Sequence, residues 1–300
     1  MKKALILVLL LLMLLSGAIF FLDDKSPSTA DEPYIAVTSY SLYDITSRVV
    51  KDKIIIKKLI PFGVEMHTYM PSVQTMAELS SAKVFIFNGL GVEPWIKKEY
   101  PNQLDMSQFV NLDHDEHHED DGHGHGTEAD PHYWLDIKNM ILMTQKINTT
   151  LSQLFPEHKQ SFEKNTKVYI SELMALEQEY LKGLKECKHK EIVVNHNAFG
   201  YLAEAFGFET HSVMGLSPDE QASAKKMKEI SDLVKEEGID VIFFESFVSP
   251  AIAETISKET GAKAQALQPL ANISKNDKDK SYAELMRENL RQLRTAMECE

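Results

Sequence analysis

Three histidines in the sequence stand beside predicted strands, in contexts that suit a metal ligand. His67 lies in a loop bounded by glycine and proline, His132 follows Asp-Pro, and His196 ends an apolar strand. Three neutral imidazoles suit a borderline-soft divalent cation, zinc above all, with a carboxylate or water in a fourth position. Any one of them alone is more simply interpreted as a hydrogen-bonded loop residue. Three in matching contexts favour a single metal site.

A second group of histidines lies in an acidic, glycine-interrupted run just before His132. The five histidines of this run are His114, His117, His118, His123 and His125. Acidic side chains raise the local cation concentration, and His-rich tracts bind metal by composition rather than by fixed geometry. The run is therefore expected to be an auxiliary, low-affinity zinc trap, with binding that weakens below about pH 6 as the histidines become protonated. The alternative is a solvated loop that binds zinc or nickel from any buffer.

Strand and helix patterns alternate along the chain, which indicates an α/β fold with parallel sheets. Apolar runs predict strands at 34–38, 53–59, 84–87, 191–195, 241–244 and 264–267. Helical periodicity continues from 156 to 186 without an internal proline, as expected for a rigid helix between two similar lobes. Ligands of such sheets bind at the carboxyl ends of the strands. The three histidines therefore converge only if the lobes face each other across a cleft.

The predicted organisation places an export signal before two lobes. Its segments are a signal peptide or uncleaved anchor (1–22), a linker (23–33), an N-terminal lobe (34–155) that includes the His-rich loop (113–126), a connecting backbone helix (156–187) and a C-terminal lobe (188–300). The apolar leader follows Lys2 and Lys3 and has no cysteine nearby, so a free periplasmic protein is expected rather than a lipid-anchored one. A formal net charge of −13 without a basic stripe argues against a nucleic-acid partner. Whether Cys187 and Cys299 form a disulfide is left open, because sequence spacing does not show contact.

Five segments, taken in order, resemble the signature of the zinc/manganese family of solute-binding proteins of ABC importers. They are GVEMHTYMPS, DPHYWLD, VVNHNAFGYLAEAFG, GLSPDEQAS and VIFFES. The resemblance implies two (β/α) lobes bridged by a rigid helix, metal held in the cleft by His67, His132 and His196, and delivery to a membrane permease. The His-rich loop resembles the zinc-specific branch, since manganese-type relatives usually lack it and carry a carboxylate at the position of His196. A monomer is expected.

The sequence departs from the family pattern at one position near the predicted site. Where the family often has an aspartate in a Leu-Asp-Pro-Leu segment, this chain has Gln268, and a neutral amide is a poor substitute for a carboxylate on a dication. The fourth position is then expected to be water or Glu65. Glu245 and Gln268 are weaker candidates, and Glu245 is interpreted as a residue that braces the loops of the second lobe.

Three other functions are weighed against zinc capture for import. One is a manganese or other divalent-metal binding protein of the same family. Another is a secreted zinc hydrolase, since three histidines and a water also form a catalytic site. No His-Glu-x-x-His helix or Gly-x-Ser-x-Gly elbow accompanies them, so an enzyme is not expected. An adhesin displayed at the surface is disfavoured by the absence of a lipid-attachment cysteine.

Overall fold

The computed structural model describes residues 32–97, 99–112, 129–217, 222–245 and 250–300. The predicted signal peptide, most of the linker and the His-rich loop lie outside the described residues. Tyr34–Glu300 form one compact unit. Within the described ranges, no helix is both long enough and apolar enough to cross a membrane.

The first lobe contains a parallel four-stranded sheet in the order β2-β1-β3-β4. Its strands and helices are β1 (Tyr34–Val37), α1 (Tyr40–Val50), β2 (Ile55–Lys58), α2 (Val73–Leu79), β3 (Val84–Phe87) and β4 (Gln103–Asp105). The two central strands, YIAV and VFIF, are buried at every residue, as expected for parallel strands that are covered on both faces. Ser39 and Ser72 cap α1 and α2 by accepting backbone N–H groups.

The second lobe repeats this arrangement with the sheet order β6-β5-β7-β8. Its elements are β5 (Glu191–His196), α5 (Gly200–Phe206), β6 (Glu209–Met214), α6 (Ala224–Glu236), β7 (Val241–Phe244), α7 (Ala251–Thr260) and β8 (Lys263–Ala266). In each lobe the first strand along the chain lies between the second and the third, and the fourth lies at the far edge. The predicted duplication of two similar α/β lobes is therefore confirmed.

Three longer helices pack beside the sheets: α3 (Ile137–Leu154), α4 (Lys159–Gly183) and α8 (Tyr282–Ala296). The predicted long helix is α4, which follows a short 3-10 turn at Pro156–His158. One face of α4 is buried through Phe162, Thr166, Tyr169, Leu173, Leu176 and Tyr180. That face contacts α1 of the first lobe and α8 from the end of the chain. The helix thus joins the two halves, whereas the predicted domain boundaries at 155 and 187 stay predictions.

Two features go beyond the sequence prediction. The strands β4 and β6 and the helix α7 were not predicted. Both strands lie at a sheet edge. They carry polar residues, because an edge strand has one free side and buries less of its surface.

The question left open for the cysteines is answered by a disulfide between Cys187 and Cys299, which links the segment after α4 to the end of the chain.

Candidate metal centre

The structure brings His67, His132 and His196 together. His67 lies in the loop between β2 and α2, His132 directly precedes the 3-10 turn Tyr133–Leu135, and His196 is the last residue of β5. The ring centroids are 5.4 Å apart for His67 and His132, 5.3 Å for His132 and His196, and 6.2 Å for His67 and His196. One ring nitrogen from each lies within 4.8 Å of the other two. Residues from both lobes thus form a single cluster of potential ligands.

His132 is held by the carboxylate two residues before it. Oδ1 of Asp130 accepts the backbone N–H of His132 at 2.9 Å and lies 2.7 Å from Nδ1 of the same residue. The imidazole is fully buried, and its centroid lies 5.4 Å from that of Trp134 in an edge-on arrangement. Because Asp130 occupies Nδ1, the other ring nitrogen, Nε2, is the one free to bind a ligand.

His196 has an equivalent arrangement in the second lobe. Its Nδ1 lies 2.6 Å from Oε1 of Glu245, the residue that follows β7. Burial acts to lower the pKa of His196, but the carboxylate of Glu245, and more weakly those of Glu65 and Asp130, outweigh it, so the pKa is raised. The imidazole is thus held in a fixed orientation by a negative charge, with Nε2 on the opposite side of the ring.

The two Nε2 atoms of His132 and His196 are buried, and neither has a hydrogen-bond partner among the described residues. A buried polar atom without a partner loses the free energy of its interaction with water, typically about 1–3 kcal/mol. Two such atoms from separate lobes in one cluster point to a ligand that both of them bind. A carboxylate on the other nitrogen of a metal-binding histidine is the usual arrangement at metal sites, since it fixes the tautomer and raises the basicity of the ligand.

His67 is bound differently from the other two. It is half-buried, and its backbone N–H donates to Oε1 of Glu65 at 3.1 Å. Burial, together with the neighbouring His132 and His196, lowers the pKa of His67 to about 3. The imidazole of His67 is therefore neutral, and able to bind a metal, throughout the physiological pH range.

The remaining predicted site residues have separate positions. Glu65 is half-buried, and burial followed by repulsion from Glu245 raises its pKa to about 6. Neither Glu65 nor Glu245 belongs to the cluster of ring nitrogens. Gln268 is buried, and its backbone N–H and C=O both bond to the Asn289 side chain of α8, at 2.9 and 2.7 Å. The five histidines of the auxiliary loop lie outside the described residues.

Asp130 is the site residue that sequence reasoning missed. Its signal was present, since a carboxylate two residues before a candidate ligand can reach back to the ligand's own backbone and ring. A further group of potential ligands, Glu191, Glu209 and His211, lies on the first two strands of the second sheet. Glu191 and His211 are partly buried and Glu209 is exposed, and Nε2 of His211 already lies 3.0 Å from Glu191.

Comparisons with known proteins agree with this fold. A family model described as "Zinc-uptake complex component A periplasmic" matches residues 35–296. The chain is 34% identical over 297 residues to the "Zinc-binding lipoprotein AdcA" of Streptococcus pneumoniae, covering 92% of this chain and 58% of that protein. It is 32% identical to the "High-affinity zinc uptake system protein ZnuA" of Bacillus subtilis, covering 91% of this chain and 90% of the relative.

A solved structure extends the likeness to three dimensions. The Zn(II)-bound ZnuA-like domain of Streptococcus pneumoniae AdcA superposes with a TM-score of 0.74 at 32% identity, covering 89% of this chain and 99% of that one. The first of the relatives above is much longer than this chain, which spans 58% of its length. The two-lobe architecture predicted from the sequence is therefore shared with a zinc-bound protein.

Proposed function

Because the chain belongs to the family of periplasmic component A proteins of zinc-uptake complexes, we propose that it captures zinc and delivers it to the permease of an ABC importer. Capture takes place in the cleft between the lobes, with His67, His132 and His196 as ligands. The named relatives support zinc as the cargo, since one is called a zinc-binding lipoprotein and another a zinc uptake protein. Export to the periplasm by the N-terminal leader, and a monomeric state, belong to the same proposal.

The observation that carries the proposal is the pair of buried Nε2 atoms on His132 and His196, which lack partners among the residues that the structure describes. Zinc accepts nitrogen ligands in a tetrahedral arrangement, and three imidazoles leave one position for water or Glu65. The donor set also favours zinc over manganese, because Mn²⁺ binds carboxylate, carbonyl and water oxygens better than imidazole nitrogen. The auxiliary role of the His-rich loop rests on its composition alone.

Competition titration of the purified apoprotein with zinc, manganese, copper and nickel tests the proposal. We expect one tightly bound zinc per chain in the wild type, with manganese binding far weaker. His67→Ala, His132→Ala and His196→Ala should each abolish tight binding. His158→Ala serves as the control, because His158 belongs to neither group of potential ligands. Tight zinc binding that survives all three cleft substitutions would show that the ligands have been wrongly assigned.

A hydrolase assay on the same samples tests the enzymatic alternative. Zinc-loaded wild type is expected to leave ester, peptide and phosphate substrates unchanged. Turnover that disappears in His132→Ala would instead establish a catalytic zinc at this cluster.

A further inference from the structure

Four of the five residues 269–273, which follow β8 in the second half of the chain, are hydrogen-bonded to the first lobe. The carbonyl of Pro269 accepts from Nε1 of Trp134 at 2.7 Å, and the carbonyl of Ala271 accepts from the backbone of Tyr40 at 2.9 Å. The carbonyl of Ile273 accepts from the backbone of Gly63 at 2.8 Å. This segment, called here the 269–273 segment, therefore links the lobes close to two ligand loops, since Trp134 packs against His132 and Gly63 precedes His67.

Asn272 lies within this segment, and both the amide nitrogen and the amide oxygen of its side chain are hydrogen-bonded. Nδ2 donates to the carbonyls of Pro61 and Val64 at 2.7 and 2.8 Å. Oδ1 accepts from Nζ of Lys58 at 2.8 Å. The residue is only 1% exposed, so these bonds have no water to replace them. The side chain from the second half of the chain thus fixes both ends of the short turn 61–64 in the first lobe.

The turn 61–64 leads directly into the ligand loop. Val64 is three residues before His67, and between them lie Glu65, which accepts the backbone N–H of His67, and Met66, which is fully buried. Lys58 extends the contact in the other direction, because its Nζ also donates to the carbonyl of Ile60. The bond from Asn272 to the Val64 carbonyl is therefore separated from His67 by only two residues, one bonded to the His67 backbone and one fully buried.

We propose that Asn272 is a positioning residue for zinc, which holds the His67 loop in register with the second lobe so that the three imidazoles meet at one ion. The inference rests on the proposed function, with His67 as a ligand. Asn272 does not touch the metal cluster; it acts through the backbone of residues 61–64. It has no signal in the sequence, because 205 positions separate it from His67.

Asn272→Ala tests the proposal against a matched control, Asn139→Ala. Asn139 is also fully buried and also bonds one backbone segment, through the N–H and C=O of Asn111 at 2.8 and 2.9 Å, but it has no bond to the 61–64 turn. Loss of a group that orients a metal ligand lowers metal affinity about 10- to 100-fold. We expect Asn272→Ala to weaken zinc binding about 10-fold or more. The zinc affinity of Asn139→Ala should stay within about 2-fold of wild type. This should hold even if both variants are destabilised to the same extent, as judged by the urea concentration at which each unfolds.

Two further variants separate the effect of the lost hydrogen bonds from the effect of the lost side-chain volume. They also provide a test if Asn272→Ala fails to fold. Asn272→Asp keeps the size of the side chain but replaces the two donated bonds with an acceptor, so it should weaken binding at least as much as Asn272→Ala. Lys58→Met keeps the aliphatic stem and removes the bonds to Asn272 and Ile60, together with the contact of the ammonium with the Phe62 ring. It should shift zinc affinity in the same direction by a smaller factor.

A double-mutant cycle with His67→Ala shows whether the effect passes through His67. In that background, measured in protein that also lacks residues 114–126 so that the weaker zinc of the loop does not contribute, Asn272→Ala should change the residual zinc affinity by less than about 2-fold, because the ligand it positions is gone. Equal zinc affinity in Asn272→Ala and Asn139→Ala, or full additivity in the cycle, would overturn the positioning role while leaving zinc capture intact. Wild-type protein without tight zinc would overturn the proposed function, and this inference with it.

Discussion

Replacing Glu245 by glutamine tests how much the buried carboxylate contributes to zinc affinity. Its Oε1 lies 2.6 Å from Nδ1 of His196, and both side chains are nearly fully buried, at 4% and 2% exposure. Hydrogen bonds to a charged partner contribute about 1.5–3 kcal/mol, against roughly 1 kcal/mol for neutral pairs. Glu245→Gln keeps a neutral acceptor, so the free energy of zinc binding should become less favourable by about 1–2 kcal/mol. That corresponds to zinc affinity lower by roughly 5- to 30-fold.

The assay is a chelator competition titration near neutral pH, with Glu191→Gln as the control. Glu191 forms the same kind of pair, 3.0 Å from Nε2 of His211, but this pair is partly exposed and lies outside the histidine cluster. Zinc affinity in the control should stay within about 2-fold of wild type, since exposed pairs contribute little. Equal losses in the two variants would refute the reasoning. A larger loss in Glu191→Gln would move the tight site to the group around His211.

The pH dependence of the same two proteins provides an independent signature. In the wild type the pKa of His196 is raised because Glu245 outweighs the effect of burial, so a proton competes with zinc for the imidazole as the pH falls. Zinc affinity should therefore drop as the pH falls through that raised pKa. Glu245→Gln removes the main cause of the raised pKa, so proton competition begins at lower pH. The affinity gap between wild type and variant should narrow on acidification, and a gap that is constant or widens would contradict this cause.

Three further predictions concern the rest of the chain. Deleting residues 114–126 should leave the tight zinc intact and remove the weaker zinc equivalents, as counted by calorimetry; loss of the tight site would contradict the separation of loop and cleft. Reducing the disulfide between Cys187 and Cys299, which are 112 positions apart, should lower the free energy of unfolding by about 2–5 kcal/mol in urea titrations with and without reductant. Tyr169→Phe removes the 2.8 Å hydrogen bond to the buried carboxyl of Asp44 and should cost about 1–3 kcal/mol in the same titration, whereas an unchanged midpoint would show that water replaces it.

The central strands and the three clustered histidines were predictable because their signals are local. Apolar runs such as VFIF have few alternatives to a buried strand, and the observed bounds of this strand, Val84–Phe87, match the prediction. The edge strands β4 and β6 were missed because a strand with one free side needs no continuous apolar run. The site shows the same difference between local and non-local signals. Histidines at strand ends are visible in the sequence, whereas the carboxylates that bind them depend on which strands are neighbours.

Glu245 illustrates this dependence on strand order. It follows β7, and His196 ends β5, and the two residues meet because β5 and β7 are adjacent parallel strands whose carboxyl ends lie at the same edge. The sequence predicts both strands but not their adjacency. A bracing role for Glu245 was the favoured interpretation, and the contact with Nδ1 of His196 now supplies a partner for that role.

The three predicted ligands are equivalent in the sequence but unequal in the structure. His132 and His196 each have a carboxylate within 2.7 Å of Nδ1, so packed neighbours fix their rings directly. For His67 the contact with Glu65 is to the backbone N–H, and the side chain is half-buried. The position of its imidazole therefore depends on the loop that carries it, and that loop is fastened by Asn272 from the second half of the chain. We therefore expect a substitution far from the cleft to alter zinc affinity through His67 more readily than through His132 or His196.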